Sequence, residues 1–221
     1  SFIRDSIFFG VAKVATGPIH SSSPFYEADV RQYPHDPRRA EMLLDEMGLR
    51  RGADGTRASV RLLGLPYGEV WNRINEYTRE ALRRVGIDVA IENTDVAGWS
   101  DRTRNWDFDM TVYFLTTLAD PALGVSRTYV TSSIRHGVLF GNHSGYSNPE
   151  IDDLFERAAR SVDENERRRL YSEVQKRLVE DVPVAWMVEL QWPTFINRRL
   201  RNVVINGLGP NHNLAEAHIA A

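Results

Sequence analysis

"SVRLLGLPYGEVWNRINEYTREALRRVGIDVAIEN" occupies residues 59–93, and its periodicity decides the fold class. Residues 59–65 are dominated by Val and Leu, as a buried strand requires. Residues 87–93 form a second strand-like stretch, in which Ile87, Val89 and Ile91 alternate with polar or small neighbours. Between them, Val70, Ile74, Tyr77, Ala81, Leu82 and Val85 recur on one side of a helix over about 69–85, and Gly86 ends it. Strand, amphipathic helix and strand with short joints make a βαβ unit. Its strands should be parallel and its crossover right-handed.

The same reading extends in both directions. Upstream, "DPRRAEMLLDEM" at 36–47 predicts a helix with Asp36 as cap, Pro37 at its first position and Gly48 beyond its end. Ala40, Leu43, Leu44 and Met47 form its apolar stripe. Downstream, "DMTVYFL" at 109–115 predicts a third strand. "PVAWMVEL" at 183–190 is a continuous apolar run, which predicts a strand buried on both faces. Two consecutive helices precede it. The first starts either at Ser147, with Glu150 completing a capping box, or at Asn148, with Pro149 at the first helical position. Ile151, Leu154, Phe155, Ala158 and Ala159 make its apolar face. The second starts at Asp163 with Glu166, carries Leu170, Tyr171, Val174 and Leu178, and stops at Pro183. The fold class is α/β.

Composition narrows the function. The 221 residues are 42% hydrophobic and 26% charged, enough for one large domain or two small ones. No apolar run approaches the roughly 18–20 residues of a membrane span. A net charge of −3 gives no reason to expect nucleic acid or an anionic membrane as partner. Two basic runs occur, at 166–170 and 197–202, and the first lies inside a helical pattern and reads as a solvated face. The chain has no cysteine, which removes disulfides and thiolate chemistry. It opens without an initiator Met or a signal peptide, as a piece of a longer protein would.

No nucleophile elbow, P-loop, dinucleotide fingerprint or zinc-protease motif is present. His136 and His143 are poorly spaced for a metal, and Asp152 and Asp153 sit at a helix start, where they complement its dipole. Catalytic residues, metal ligands and cofactors are therefore not expected. One stretch invites a ligand: "WDFDMTVYFLTTLADPALG" at 106–124 runs from a strand into a loop of small residues. Strand ends opening into loops are where α/β sheets bind ligands. Tyr113 and Phe114 there either stack on a ligand or belong to the core.

Four segments in order resemble the peptide/nickel-type solute-binding proteins of ABC importers, family 5 of the bacterial extracytoplasmic solute-binding proteins. "IRDSIFFGVAKVATGPI" is similar to the family's hinge-proximal helix and the Gly-Pro-Ile loop after it. "YPHDPRRAEMLLDEMGL" is similar to its Tyr-x-x-Asp-Pro segment, and "LADP" to its Asp-Pro loop. "SGYSNPEIDDLFERAARSVDENERRRLYSEVQKRLVEDVP" is similar to its Asn-Pro-x-x-Asp-x-Leu helix and the following Arg-x-x-x-Tyr helix. The resemblance implies one C-terminal lobe of a type II periplasmic-binding-protein fold, a mixed β-sheet flanked by helices. That lobe covers 1–221, the N-terminal lobe is absent, and the tail at 198–221 returns toward it.

The implied function is capture of a peptide or peptide-like solute between two lobes and delivery to an ABC permease in the membrane. The protein would be a monomer and not an enzyme, periplasmic or otherwise extracytoplasmic, its full-length parent being either free or lipid-anchored. Phe114, Thr116, Thr117 and Asp120 would line the cleft, with Tyr113, Asn142 and Tyr146 as further candidates. Asp120 has an alternative role as cap of the turn after Pro121, and Tyr146 one in packing. In the peptide binders an Asp at the position of Thr117 pairs with the peptide's amino terminus, and a hydroxyl cannot supply that charge. A modified peptide, an N-blocked peptide or another small solute is therefore at least as well suited as an ordinary peptide. Where the family has Trp, the chain has Phe114, which stacks but donates no hydrogen bond. The rival role is a ligand-sensing domain of a transcription regulator on the same fold.

Overall fold

The computed structural model describes residues 1–205 and 214–220. The chain opens with one wide helical turn, Ile3–Ile7, closed by Phe8 N–H donating to the Ile3 carbonyl at 3.0 Å. A short strand, β1 (Lys13–Val14), and a helix, α1 (Pro37–Glu46), follow. Asp36 caps α1 by accepting from the Arg39 N–H, as its sequence requires. Its expected apolar stripe is not buried: Leu43 is 43% and Met47 71% exposed. The helix forms from its own cap and surface ion pairs, such as Arg51–Glu41, and no other described element covers it.

The βαβ unit consists of β2 (Ala58–Leu63), α2 (Glu69–Arg84) and β3 (Ile87–Glu92). The two strands run parallel in a register from Ala58↔Ile87 to Leu63↔Glu92. Helix α3 (Val96–Arg104) leads to β4 (Met110–Thr111), which adds to the other edge of β2 in parallel. The sheet order is β3-β2-β4. Leu62, Leu63, Leu65, Ile74 and Val89 make the first core, with Ile3 and Ile7 packed in from the N-terminus. The buried side of α2 is rotated from the expected stripe: Trp71, Ile74 and Asn75 are buried, whereas Val70 is only half-buried.

A four-residue turn of helix, α4 (Pro121–Gly124), precedes α5 (Pro149–Arg160) and α6 (Glu164–Asp181). Of the two starts open to α5, the chain uses Asn148, whose side chain accepts from the Glu150 N–H at 3.0 Å. Asp163 caps α6 through the Asn165 and Glu166 N–H groups. These two helices pack on each other through Ile151, Leu154, Phe155, Leu170, Val174 and Leu178, the second core. Gln175, buried in it, donates to the Phe25 carbonyl and accepts from the Glu27 N–H, tying the 19–27 loop to α6.

Two predicted strands are shorter than expected. The run 109–115 pairs only at Met110 and Thr111, and the side chains of Tyr113 and Phe114 beyond stack on Trp99 and Trp71. The run 183–190 is not a strand buried on both faces. Only β5 (Val188–Glu189) forms, pairing antiparallel with β1 outside the three-stranded sheet. Its continuous apolar character has another cause: Val184 and Trp186 pack on the second core, whereas Met187, Val188 and Leu190 pack on the first. Antiparallel pairing thus enters the fold in separate ribbons, the other being β6 (Leu200–Arg201) with β7 (His218–Ile219). The expected return of the tail at 198–221 falls partly on residues 206–213 and 221, which lie outside the described residues. Among the described residues no helix is long and apolar enough to cross a membrane.

Candidate functional site

The two cores do not close on each other. Between them lies a cleft of about 1090 Å³. Leu62, Ile74 and Val112 face it from the first core, and Val125, Tyr129 and Trp186 from the second. The segment 182–190 bridges the two along its edge. A volume of this size holds a small molecule or a short peptide, and a mostly apolar lining with a few polar groups is the usual composition of such a site.

One wall is an aromatic shelf built where β4 ends. Phe114 stacks on Trp71 at 5.3 Å between centroids and sits 5.9 Å from both Tyr67 and Trp192. Tyr113 stacks on Trp99 at 5.2 Å. Trp99 is held in place by its indole N–H, which donates to Thr111 Oγ1 at 3.2 Å, while that hydroxyl donates to the Leu63 carbonyl at 2.9 Å. The sheet edge therefore sets the angle of the shelf. Burial pushes the Tyr113 hydroxyl up to about 12, so it is neutral at physiological pH. Phe114 is half-buried, whereas Trp192 at 68% exposure and Tyr67 at 49% leave stacking faces open.

The next residues form the rim. Thr116 and Thr117 line the cleft, and among the described residues neither hydroxyl has a hydrogen-bond partner. Leu118 takes a left-handed conformation, φ 52°, which turns the chain sharply back. Behind it, Gly124 approaches the Thr117 carbonyl so closely that a Cβ there would lie 2.2 Å from it. Asp120 caps α4, accepting from the Ala122 N–H at 2.9 Å, and its other oxygen binds Arg167 at 2.6 Å. Burial pushes the Asp120 carboxyl up, but Arg167 and the Ala122 N–H outweigh it and hold the group below its ordinary value.

The sequence candidates therefore divide. Tyr113, Phe114, Thr116 and Thr117 come together on one wall. Asp120 stands behind them with its oxygens engaged by the protein. Asn142 is fully buried and donates to the Val130 and Tyr146 carbonyls, which shapes the loop at 142–146. Tyr146 packs against the second core and donates from its hydroxyl to Asp181 at 2.5 Å. Neither lines the cleft, although Gly141 and His143 beside Asn142 do. Sequence reasoning missed Trp71, Tyr129, Trp186 and Trp192, which do line it. Trp71 was legible in principle, since it sits three residues before Ile74 on one side of α2.

The family model for "Bacterial extracellular solute-binding proteins, family 5 Middle" matches residues 1–135. The "Probable D,D-dipeptide-binding periplasmic protein DdpA" of Escherichia coli K12 is 27% identical over 203 residues, covering 91% of this chain and 38% of that protein. "Protein XP55" of Streptomyces lividans is 31% identical over 185 residues, covering 80% of this chain and 33% of that protein. Among solved structures, the oligopeptide-binding protein AppA of Bacillus subtilis, in complex with a nonapeptide, superimposes with a TM-score of 0.80. It is 21% identical, over 99% of this chain and 45% of that one. The chain thus spans between a third and two fifths of the length of these curated relatives.

Proposed function

We propose a transport function from one premise: the chain belongs to family 5 of the bacterial extracellular solute-binding proteins. In this reading it forms one wall of a two-lobed clamshell that captures a peptide or peptide-like solute outside the cytoplasmic membrane. The solute is held, closure of the lobes buries it, and the closed protein delivers it to an ABC permease. The mechanism is binding without chemistry.

The observation that carries this reading is the open aromatic shelf. A strand end that brings Phe114 against Tyr67 and Trp192, beside two threonine hydroxyls with no partner among the described residues, has stacking faces and hydrogen-bonding capacity left over for a solute. Flat aromatic faces accept the side chains and peptide planes of many solutes, and hydroxyls adapt as donor or acceptor. The D,D-dipeptide-binding and nonapeptide-bound relatives suggest peptides as the class.

Calorimetry on the full-length protein with peptides of two to nine residues tests the proposal. A 1:1 complex with at least one of them is expected, weakened roughly tenfold or more by Phe114→Ala, in line with the loss of a buried aromatic contact. No heat with any peptide, or a Phe114→Ala variant of undiminished affinity, would remove the shelf from the site.

A further inference from the structure

Tyr129 carries a hydrogen-bond donor that the chain leaves over. Its side chain belongs to the second core, is only 4% exposed, and lines the cleft. The hydroxyl oxygen lies 2.9 Å from the indole nitrogen of Trp186, which lines the same cleft from the 182–190 segment. The hydroxyl is thus the meeting point of two cleft-lining side chains. An indole N–H only donates, so the phenol oxygen is the acceptor in this bond. The phenol's own proton must point elsewhere, and among the described residues no acceptor stands within hydrogen-bond reach of it. Burial pushes the Tyr129 hydroxyl above its ordinary value, and the indole bond offsets this only in part, so the proton stays in place at physiological pH.

A buried donor without an acceptor is costly, and the charges around it decide which acceptor suits it. Among the described residues neither lysine nor arginine lines the cleft. Its two acids are already engaged. Asp109 accepts from the backbone N–H and the guanidinium of Arg61, and Glu189 from the Ser21 N–H and hydroxyl at 2.8 and 2.6 Å. The lining residues next to the pair in the chain, Val125, Thr128, Val184 and Met187, bring one hydroxyl and no charge. A carboxylate entering there would lose its water with no cation to replace it. A neutral carbonyl is far less costly to desolvate and still accepts one hydrogen bond.

We infer that Tyr129, oriented by Trp186, is the donor with which the cleft binds an uncharged carbonyl of its solute, such as an interior amide of a peptide presents. The two rings meet at a tilt of 50° with centroids 6.4 Å apart, so the bond from the indole fixes the direction left for the phenol proton. The inference rests on the transport reading in one respect only, that a solute occupies the cleft.

Two measurements on the full-length protein test it, the first independent of any transported solute. In nuclear magnetic resonance with isotope-labelled tryptophan, the indole N–H signal of Trp186 is assigned by its loss in Trp186→Phe. That signal is expected to move downfield, saturably, on titration with N-methylacetamide. A phenol that begins to donate to a carbonyl becomes a better acceptor, and the indole proton reports the change. Sodium acetate at equal concentration should leave the signal in place, and N-methylacetamide should not move it in Tyr129→Phe. In calorimetry, Tyr129→Phe is expected to weaken trialanine binding roughly tenfold. No downfield shift with N-methylacetamide overturns the inference, since the proton then has an acceptor at rest. An equal shift with acetate overturns it too, as does a Tyr129→Phe variant that binds trialanine as tightly as the wild type. If trialanine does not bind the wild type but the N-methylacetamide shift is present, the carbonyl site stands and the peptide class falls.

Discussion

Thr117 and Gly124 show how tightly the cleft rim is specified. The hydroxyl of Thr117 borders the cleft, and its carbonyl is wedged against the backbone of α4 at Gly124. Gly124→Ala would put a Cβ 2.2 Å from that carbonyl carbon and oxygen, so the rim must move. A loss of about 1–3 kcal/mol in urea unfolding is expected, as for other overpacked sites, together with weaker solute binding. Thr117→Asp in the full-length protein is expected to favour peptides with a free amino terminus over their N-acetylated forms. Equal affinities across such a set would show that residue 117 does not meet the amino terminus. Asp120 supplies a pH test. Its folded-state value lies below its ordinary 3.8, so its contribution to stability is complete above that pH and is lost as pH falls through the lowered value. Asp120→Asn should therefore be less stable than the wild type at pH 6, and the gap should narrow below about pH 4. A gap that is constant with pH would mean that the Arg167 contact at 2.6 Å contributes nothing through its charge.

The helices were legible in the sequence because their signals are local. Asn148–Pro149 and Asp163 start α5 and α6 through side chains two or three residues from the N–H groups they satisfy. Asn148→Ala is expected to cost about 1 kcal/mol, measured by chemical denaturation, since it also loses the bond from Asn148 to Asp181 at 3.1 Å. The end of α6 is legible too, at Pro183, but not how the chain gets there. Val182 adopts φ 48°, an unfavourable conformation for a β-branched residue. What the sequence concealed was long-range. The run 183–190 looks like one strand, yet its side chains divide between two cores, and no local pattern distinguishes that from burial on both faces of a sheet. The stripe of α1 looks like a core face and is not covered by the described residues. Phe114 and Thr117 were readable as a strand end entering a loop, whereas Trp186 and Trp192 reach the same cleft from a segment roughly 70 residues later. Only the three-dimensional arrangement brings those halves of the lining together.

At the scale of the molecule, the arrangement is a wall rather than an enclosure. Both cores contribute to the cleft, but Trp192 on its lining and Tyr67 beside Phe114 stay exposed. The chain spans only about 33–38% of its relatives' length, and the proposed clamshell requires an opposing surface from outside this chain. The energetic consequence can be bounded. A solute bound with a Kd near 1 μM is held by about 8.2 kcal/mol, and half of that corresponds to a Kd near 1 mM. The entropy lost on association is not halved with the contacts, so one wall alone should do worse still. The 221-residue chain is therefore expected to bind a peptide identified with the full-length protein at least about a thousandfold more weakly. Parallel calorimetric titrations measure the ratio, after a cooperative unfolding transition has shown that the isolated chain is folded. Affinity within tenfold of the full-length value would mean that this wall alone makes the decisive contacts, and closure against a second lobe would then not be what holds the solute.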